Sequence, residues 1–417
     1  MTFAPSVNYS VVAHRFWGDP GGGQLVCAAV AYSLERLGLT PVLSGVFKFD
    51  PAKYKEWFGI DLSRYPVVTL PFELNAFGLY SRLASWWPAK KAIDKYKPSL
   101  VFIDEPTYKP LARGRMYRLI EYIHFPLEVV LSPEIKKRAY AEGRDPYFEE
   151  RYSKFPLNVY WWLFSKLLPM VKRENPFLSA DLVLVNSRWI ADLVQLAFGE
   201  RPEVLNPPIA PNVDVVERPR PFEERKPIVV MLGRFSQEKR YHWVVREVAP
   251  RLVKEVPGAR FVIFGGAATP TLRAYYERVK SLASEAGLRV SDDLSKEADV
   301  YLVANASRRL INEVMDGARA FLHATINEHW GIAVAEAMAR GLPVVVHKSG
   351  GAWTDLAEEG RVGLGYEDAG GAVDVVARLL TDGKQWAALS AKSVEKARGL
   401  RLEIFAQKFG EFVRRLS

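Results

Sequence analysis

The stretch LNPPIAPNVDVVERPRPFEERKPIVVML, residues 205–232, decides how this chain divides. Its first part is dense in proline and charge. Proline has no backbone donor and resists both ladder and helix, so residues 211–227 read as a linker. Its last five residues, Ile228 to Leu232, are an apolar run suited to the opening strand of an α/β unit. Downstream, Phe261 to Phe264, Val300 to Val303, Ala320 to His323 and Pro343 to His347 read as further strands, with helical patterns between them. Upstream the rhythm is the same. Val7 to His14 reads as the first strand, Gln24 to Leu37 as the first helix, and Gly38 stands where a helix-ending glycine belongs. Pro41 to Val46, Val67 to Leu70, Leu100 to Ile103, Leu119 to His124 and Leu182 to Val185 continue it. The expectation is an α/β fold of two Rossmann-like, doubly wound domains facing a cleft. Residues 1–210 form the first domain and 228–395 the second. Residues 396–417 form a C-terminal helix packing back on the first.

The chain has 417 residues, too many for one ordinary core. Apolar residues make up 49% and charged residues 25%, the balance of a globular protein. Fifty-seven Lys and Arg against 48 Asp and Glu give a formal charge of +9, which favours anionic partners. The basic residues are scattered and no block suggests a nucleic-acid arm, so no nucleic-acid partner is expected. One cysteine, Cys27, excludes an intramolecular disulfide. The first residues lack the pattern of a signal peptide, and no apolar run reaches the ~18 residues of a spanning helix. The expectation is a cytoplasmic chain whose membrane contact is peripheral.

Ligands of doubly wound sheets bind at the carboxyl ends of the strands, and four constellations fall there. Gly21-Gly22-Gly23 precedes the first helix; glycines allow close backbone approach and the helix amides suit phosphate or sugar hydroxyls, though a tight turn reads equally well. Gly233-Arg-Phe-Ser-Gln-Glu-Lys239-Arg240 follows the first strand of the second domain. Its Arg234 and Lys239 can face one point and hold a diphosphate. Asn327-Glu-His-Trp-Gly-Ile-Ala-Val-Ala-Glu336 runs from a strand end into a helix. Gly331 and Ile332 offer amides to a phosphate, Glu328 can accept sugar hydroxyls and Glu336 ribose hydroxyls. Tyr122-Ile-His124-Phe-Pro126 ends a first-domain strand and presents a histidine that either packs or acts on a hydroxyl.

Together these segments resemble the retaining GT-B glycosyltransferases of family 4, whose two glutamates separated by seven residues match Glu328 and Glu336. The likeness is strongest to the α-1,2-mannosyltransferases that build the lipid-linked oligosaccharide for asparagine-linked glycosylation. His14 with Gly21-Gly22-Gly23, the Tyr122 to Pro126 block, Val185-Asn-Ser-Arg-Trp189, Asn327 to Ile332, and His347-Lys-Ser-Gly-Gly351 with Asp355 all look like that branch. Gln24 departs from it, standing where the branch usually has Glu.

The resemblance implies transfer of a hexose, mannose, from a GDP-sugar to a polyprenyl- or dolichyl-linked saccharide, with retention by leaving-phosphate-assisted front-face attack. It implies no required cofactor and no metal site. His124, Arg234, Lys239 and Glu328 are the expected catalytic residues. Gly22, Gly23, Gly233, Arg234, Lys239, Gly331, Ile332 and Glu336 are the expected donor-binding residues. The open alternatives are a UDP-sugar transferase with a soluble acceptor and a sugar-nucleotide epimerase of the same shape.

Overall fold

The structure, a computed structural model, describes residues 8–71, 83–104, 108–112, 114–140, 152–171 and 175–416. Val7, expected to open the first strand, lies outside the described residues. The chain divides into two compact units: Met1–Asn212 with Arg401–Ser417, and Val213–Leu400.

The first unit is built on a parallel sheet of β1 (Tyr9–Ala13), β2 (Thr40–Gly45), β3 (Val67–Thr69), β4 (Leu100–Ile103), β5 (Arg118–Ile123), β6 (Leu182–Val185) and β7 (Glu203–Val204). Their spatial order is β3-β2-β1-β4-β5-β6-β7, with Val11 opposite both Val42 and Val101. Parallel strands covered on both faces need apolar side chains on both, and all four residues of β4, Leu-Val-Phe-Ile, are buried. Helix Gly22–Arg36 covers one face and buries nine side chains, Leu25 to Ala31 with Ser33 and Leu34. The last helix, Leu402–Arg414, packs in this unit. Phe409 is fully buried and its ring lies 6.1 Å from that of Phe102.

The second unit has β8 (Lys226–Leu232), β9 (Arg260–Gly265), β10 (Val290–Ser291), β11 (Val300–Ala304), β12 (Ala318–His323), β13 (Val344–His347) and β14 (Leu364–Tyr366). These are parallel in the order β10-β11-β9-β8-β12-β13-β14. In the stretch that reads as a linker, Arg225 is 2% exposed. Its guanidinium donates to the carbonyls of Met315, Ala318 and Arg340, and β8 begins at the next residue. A buried arginine is tolerable because its fork meets backbone acceptors.

The strand order reverses direction once in each sheet, between β1 and β4 in the first and between β8 and β12 in the second. Such switch points leave a crevice at the carboxyl ends where ligands settle. His14, Asp104 and His124 directly follow β1, β4 and β5, three adjacent strands. The loops carrying Lys239 and Glu328 follow β8 and β12.

Burial of Phe409 in the first unit makes Phe409→Ala expensive, by about 3–5 kcal/mol. A urea titration should show that unit's transition moving to lower denaturant, and an unchanged transition would contradict the packing described.

Candidate functional site

The second unit gathers charge around one carboxylate. Glu328 Oε2 accepts from Lys239 Nζ at 2.8 Å and lies 2.8 Å from His323 Nε2. Oε1 accepts the His329 amide at 3.2 Å. A carboxylate offers about four acceptor positions; three are engaged and one remains for a ligand hydroxyl. Burial pushes the Glu328 carboxyl toward neutrality, but the Lys239 charge and the His323 hydrogen bond outweigh it and hold the group well below its ordinary value of 4.5. Burial drives the His323 ring downward and the Lys239 charge adds to this, while Glu328 pulls the other way; the net direction is down. The ring is therefore neutral at neutral pH and its Nε2–H donates to the carboxylate.

The backbone around Glu328 is clamped by the turn after β13. The Asn327 amide donates to Ser349 Oγ at 2.8 Å, and Ser349 Oγ lies 2.8 Å from His347 Nδ1. The Gly351 amide donates to the Glu328 carbonyl at 2.7 Å. Gly350 sits at φ +74°, and a Cβ there would stand 2.3 Å from the Glu328 carbonyl oxygen, so only glycine lets the two segments meet. Asn327 itself is held at φ +55°, a region asparagine enters more readily than most residues. Burial, then the Arg240 charge, lower the His347 pKa to about 4.

Of the expected residues, the structure brings Lys239 and Glu328 together and sets Gly233 beneath the lysine. A Cβ on Gly233 would lie 3.2 Å from Lys239 Cδ. Gly331, at φ +98°, begins helix Ile332–Ala339, whose first turn has no side-chain cap; its amides and that of Ile332 remain for an acceptor. The Arg234 side chain is 71% exposed and pairs with Glu238 at 3.4 Å, whereas Lys239 pairs with Glu328. Glu336, expected at the ribose hydroxyls, has a partner of its own. It is buried and held by Arg308 through two bonds, 2.9 and 3.2 Å. Three buried polar atoms around these loops have no partner among the described residues: Tyr241 Oη, Thr325 Oγ1 and Trp330 Nε1.

The first unit holds a second cluster. Asp104 Oδ2 lies 2.6 Å from His14 Nδ1 and 3.2 Å from His124 Nε2. Burial raises the Asp104 pKa, but the charge of His14 and the hydrogen bonds from both rings prevail and hold it ionised. Gly23 roofs the cluster. A Cβ there would stand 3.3 Å from His14, 3.4 Å from Asp104 and 3.5 Å from His124. Gly22 is the first residue of the helix beside it, whose cap, Gly21, makes no side-chain bond. His14 Nε2 and Asp104 Oδ1 are buried without partners among the described residues, while the His124 side chain is 29% exposed. His14, Cys27 and Asp104 present donor atoms within 4.8 Å of one another; a cation there would compete with both histidines for Oδ2.

Reading the sequence for single residues misses Asp104, His323, Ser349 and Arg308. The first two carried a signal: a polar residue ending or directly following an apolar strand.

Residues 214–397 match the family model for glycosyl transferases group 1. The chain is 25% identical over 332 residues to the GDP-Man:Man(3)GlcNAc(2)-PP-Dol alpha-1,2-mannosyltransferase of Dictyostelium discoideum, covering 74% of this chain and 60% of that protein. With the Homo sapiens protein of the same name it is 27% identical over 254 residues, 56% of this chain and 47% of that one. The chain thus spans about half to three-fifths of the length of these relatives. Among solved structures, Anabaena Alr3699/HepE in complex with UDP-glucose superimposes with a TM-score of 0.66 at 18% identity, covering 98% of this chain and 99% of that one. Sucrose-phosphate synthase from Thermosynechococcus elongatus gives 0.65 at 17%, covering 98% and 99%. The fold is that of the GT-B glycosyltransferases: two parallel seven-stranded α/β units.

The lowered Glu328 pKa sets an acid limit on the second unit. Its folded value lies below its unfolded one, so the stability it contributes is complete above about pH 4.5 and is lost as pH falls through the folded value. Acid unfolding followed by circular dichroism should show a shallower limb for Glu328→Gln than for the parent chain; identical limbs would refute the charge trio.

Proposed function

We propose, from a second unit that matches the family model for glycosyl transferases group 1, that this chain transfers a mannosyl group from a GDP-sugar to a lipid-linked saccharide with retention of configuration. The observation that carries this reading is the Lys239–Glu328–His323 trio at the switch point of a parallel sheet, beside an uncapped helix N-terminus. The Lys239 ammonium has three donors and gives one to Glu328. The other two, with the Gly331 and Ile332 amides, suit a diphosphate. Arg234, on the same loop as Lys239, adds an exposed cation.

The bond that breaks joins the sugar's anomeric carbon to the diphosphate oxygen, and negative charge grows on that oxygen as it leaves. Fixed donors aimed at the growing charge favour the transition state over the ground state. The anomeric carbon bonds to the acceptor hydroxyl oxygen on the same face, and the departing phosphate takes the hydroxyl proton. Glu328 uses its remaining acceptor position to orient the hexose. In the first unit, Asp104 fixes the orientation of His124, whose exposed edge is suited to a sugar hydroxyl. Gly22 and Gly23, beside His124, let backbone approach a ligand bound at the first unit. Lysine and amides supply the countercharge, so the reaction as proposed needs no metal and no further cofactor.

Support for a GDP donor and a dolichol-type acceptor comes from the names of the relatives, whereas the superimposed HepE structure holds UDP-glucose. A membrane surface is supported by helix Leu157–Val171 of the first unit. Val159, Trp162, Leu163, Lys166 and Met170 recur at helical spacing and are exposed, with Trp162 59% and Met170 70% exposed. Phe155 and Lys154 extend the patch. Tyr160 and Phe164 face inward and stack on each other. Apolar and aromatic side chains with lysines at the margin suit the headgroup region; Lys172, at the end of this segment, lies outside the described residues. No helix among the described residues is long and apolar enough to cross a membrane.

Glu328→Ala and Lys239→Ala should each lower the transfer rate from GDP-mannose by about 100-fold or more with folding intact; near-normal turnover in both would remove the assignment. EDTA should leave the rate unchanged, and complete, metal-reversible inhibition would contradict the metal-free chemistry. The chain should cosediment with anionic phospholipid vesicles at low salt, and Phe155→Ser with Trp162→Ser should weaken this. Absence of binding by the parent chain counts against a membrane surface.

A further inference from the structure

Helix Arg308–Gly317 begins in a way that helix electrostatics disfavours. Its first two residues are arginines, and its first turn contains no acid. A cation at the positive end of a helix is destabilising, and the amides there are already served by Ser307, whose Oγ accepts from Leu310. Arg309 is exposed and pairs along the helix with Glu313. Arg308 instead reaches Glu336, Nη1 to Oε2 and Nη2 to Oε1.

This pairing uses only one edge of the guanidinium. Arginine has two forks: the end-on pair, one proton from each Nη, and the side-on pair, Nε–H with the remaining Nη2 proton. Glu336 takes the end-on fork. The side-on fork has no partner among the described residues, and the Arg308 side chain is 29% exposed while that of Glu336 is 7% exposed. The loop bearing Arg308 is pinned. The Asn305 amide donates to the Gly265 carbonyl, and Asn305 Oδ1 accepts from the Ala267 amide. The ends of β11 and β9 are thereby tied together. Glu336 lies about one helical turn beyond the amides of Gly331 and Ile332, a step comparable to that between a diphosphate and its ribose.

From this we infer that Arg308 reads the base of the nucleotide. Its end-on fork orients Glu336 toward the ribose hydroxyls, and its side-on fork donates to the adjacent acceptors O6 and N7 of a guanine. Guanine presents two neighbouring acceptors that match an arginine fork. Adenine offers an acceptor beside a donor, and uracil places no second acceptor next to O4. The inference rests on the reading that the second unit binds a nucleotide sugar.

Direct titration of the full chain with GDP, UDP and ADP separates the two ideas. The parent chain should bind GDP roughly tenfold or more tightly than UDP or ADP. Arg308→Ala should weaken all three nucleotides, because Glu336 loses the partner that orients it toward the ribose, and should weaken GDP about tenfold more than UDP or ADP, so that most of the preference is lost. Arg308→Lys keeps a positive charge beside Glu336 but lacks the planar fork, so it should lose the preference with the fold retained. Equal weakening of GDP and UDP in both variants, or a parent chain without preference, overturns base reading and leaves the donor site standing. A parent chain that binds none of the three removes the donor reading itself, and base reading with it.

Discussion

A carboxylate withdrawn from water is costly unless its charge is met by donors of fixed geometry, and Glu328 is met by Lys239, His323 and a backbone amide. That requirement organises the second unit. Lys239 reaches Glu328 because β8 and β12 are neighbours and because Gly233 has no Cβ to obstruct the lysine stem. His323 reaches it as the last residue of β12. The turn Ser349-Gly350-Gly351 holds the backbone of Asn327 and Glu328 in a conformation that needs a glycine at contact. Each of Lys239, His323 and the His329 amide meets part of the buried charge, so the site and the stability of its surroundings are linked.

The first unit solves the same problem with a different inventory. Asp104 is the buried charge, and two imidazoles share one of its oxygens. The three residues follow three adjacent strands, so their spacing is set by the distance between neighbouring strands, about 4.8 Å. Gly23 closes the arrangement, since a Cβ added there would stand 3.3 to 3.5 Å from all three. The second unit thus meets its buried carboxylate with a lysine, a histidine and an amide, and the first meets its own with two imidazole rings.

Much of the fold was legible because parallel strands covered on both faces must be continuous apolar runs, and Leu100 to Ile103 or Ile228 to Leu232 admit little else. The candidate site was legible where backbone chemistry restricts the residue, as at Gly23, Gly233 and Gly331, and where an acid stands between a strand and a helix, as at Glu328. Pairing was not legible. Arg234 and Lys239 share a loop and a charge, yet one is in solvent and the other is tied to Glu328. The direction of a long side chain depends on a turn whose geometry spacing does not reveal. Asp104 was obscured differently. Its role comes from strands 90 and 20 residues away in sequence, and only the sheet order brings them together.

Glu336 shows how local disagreement can be informative. As a lone acid in an otherwise apolar helix it reads as a ligand group, and its burial would be unfavourable without a partner. The partner is an arginine at a helix start with no intrahelical reason to be there. Two residues, each misplaced by the rules of its own helix, explain one another through a bidentate pair. Sequences are generally consistent across local and global levels, and departures concentrate where function is asked of the chain. A carboxylate held only by a flexible lysine would retain rotational freedom, whereas the planar fork fixes the plane of both groups. What such a fixed plane favours is recognition of a ligand whose own acceptors and hydroxyls are rigidly spaced, which a phosphate alone would not require.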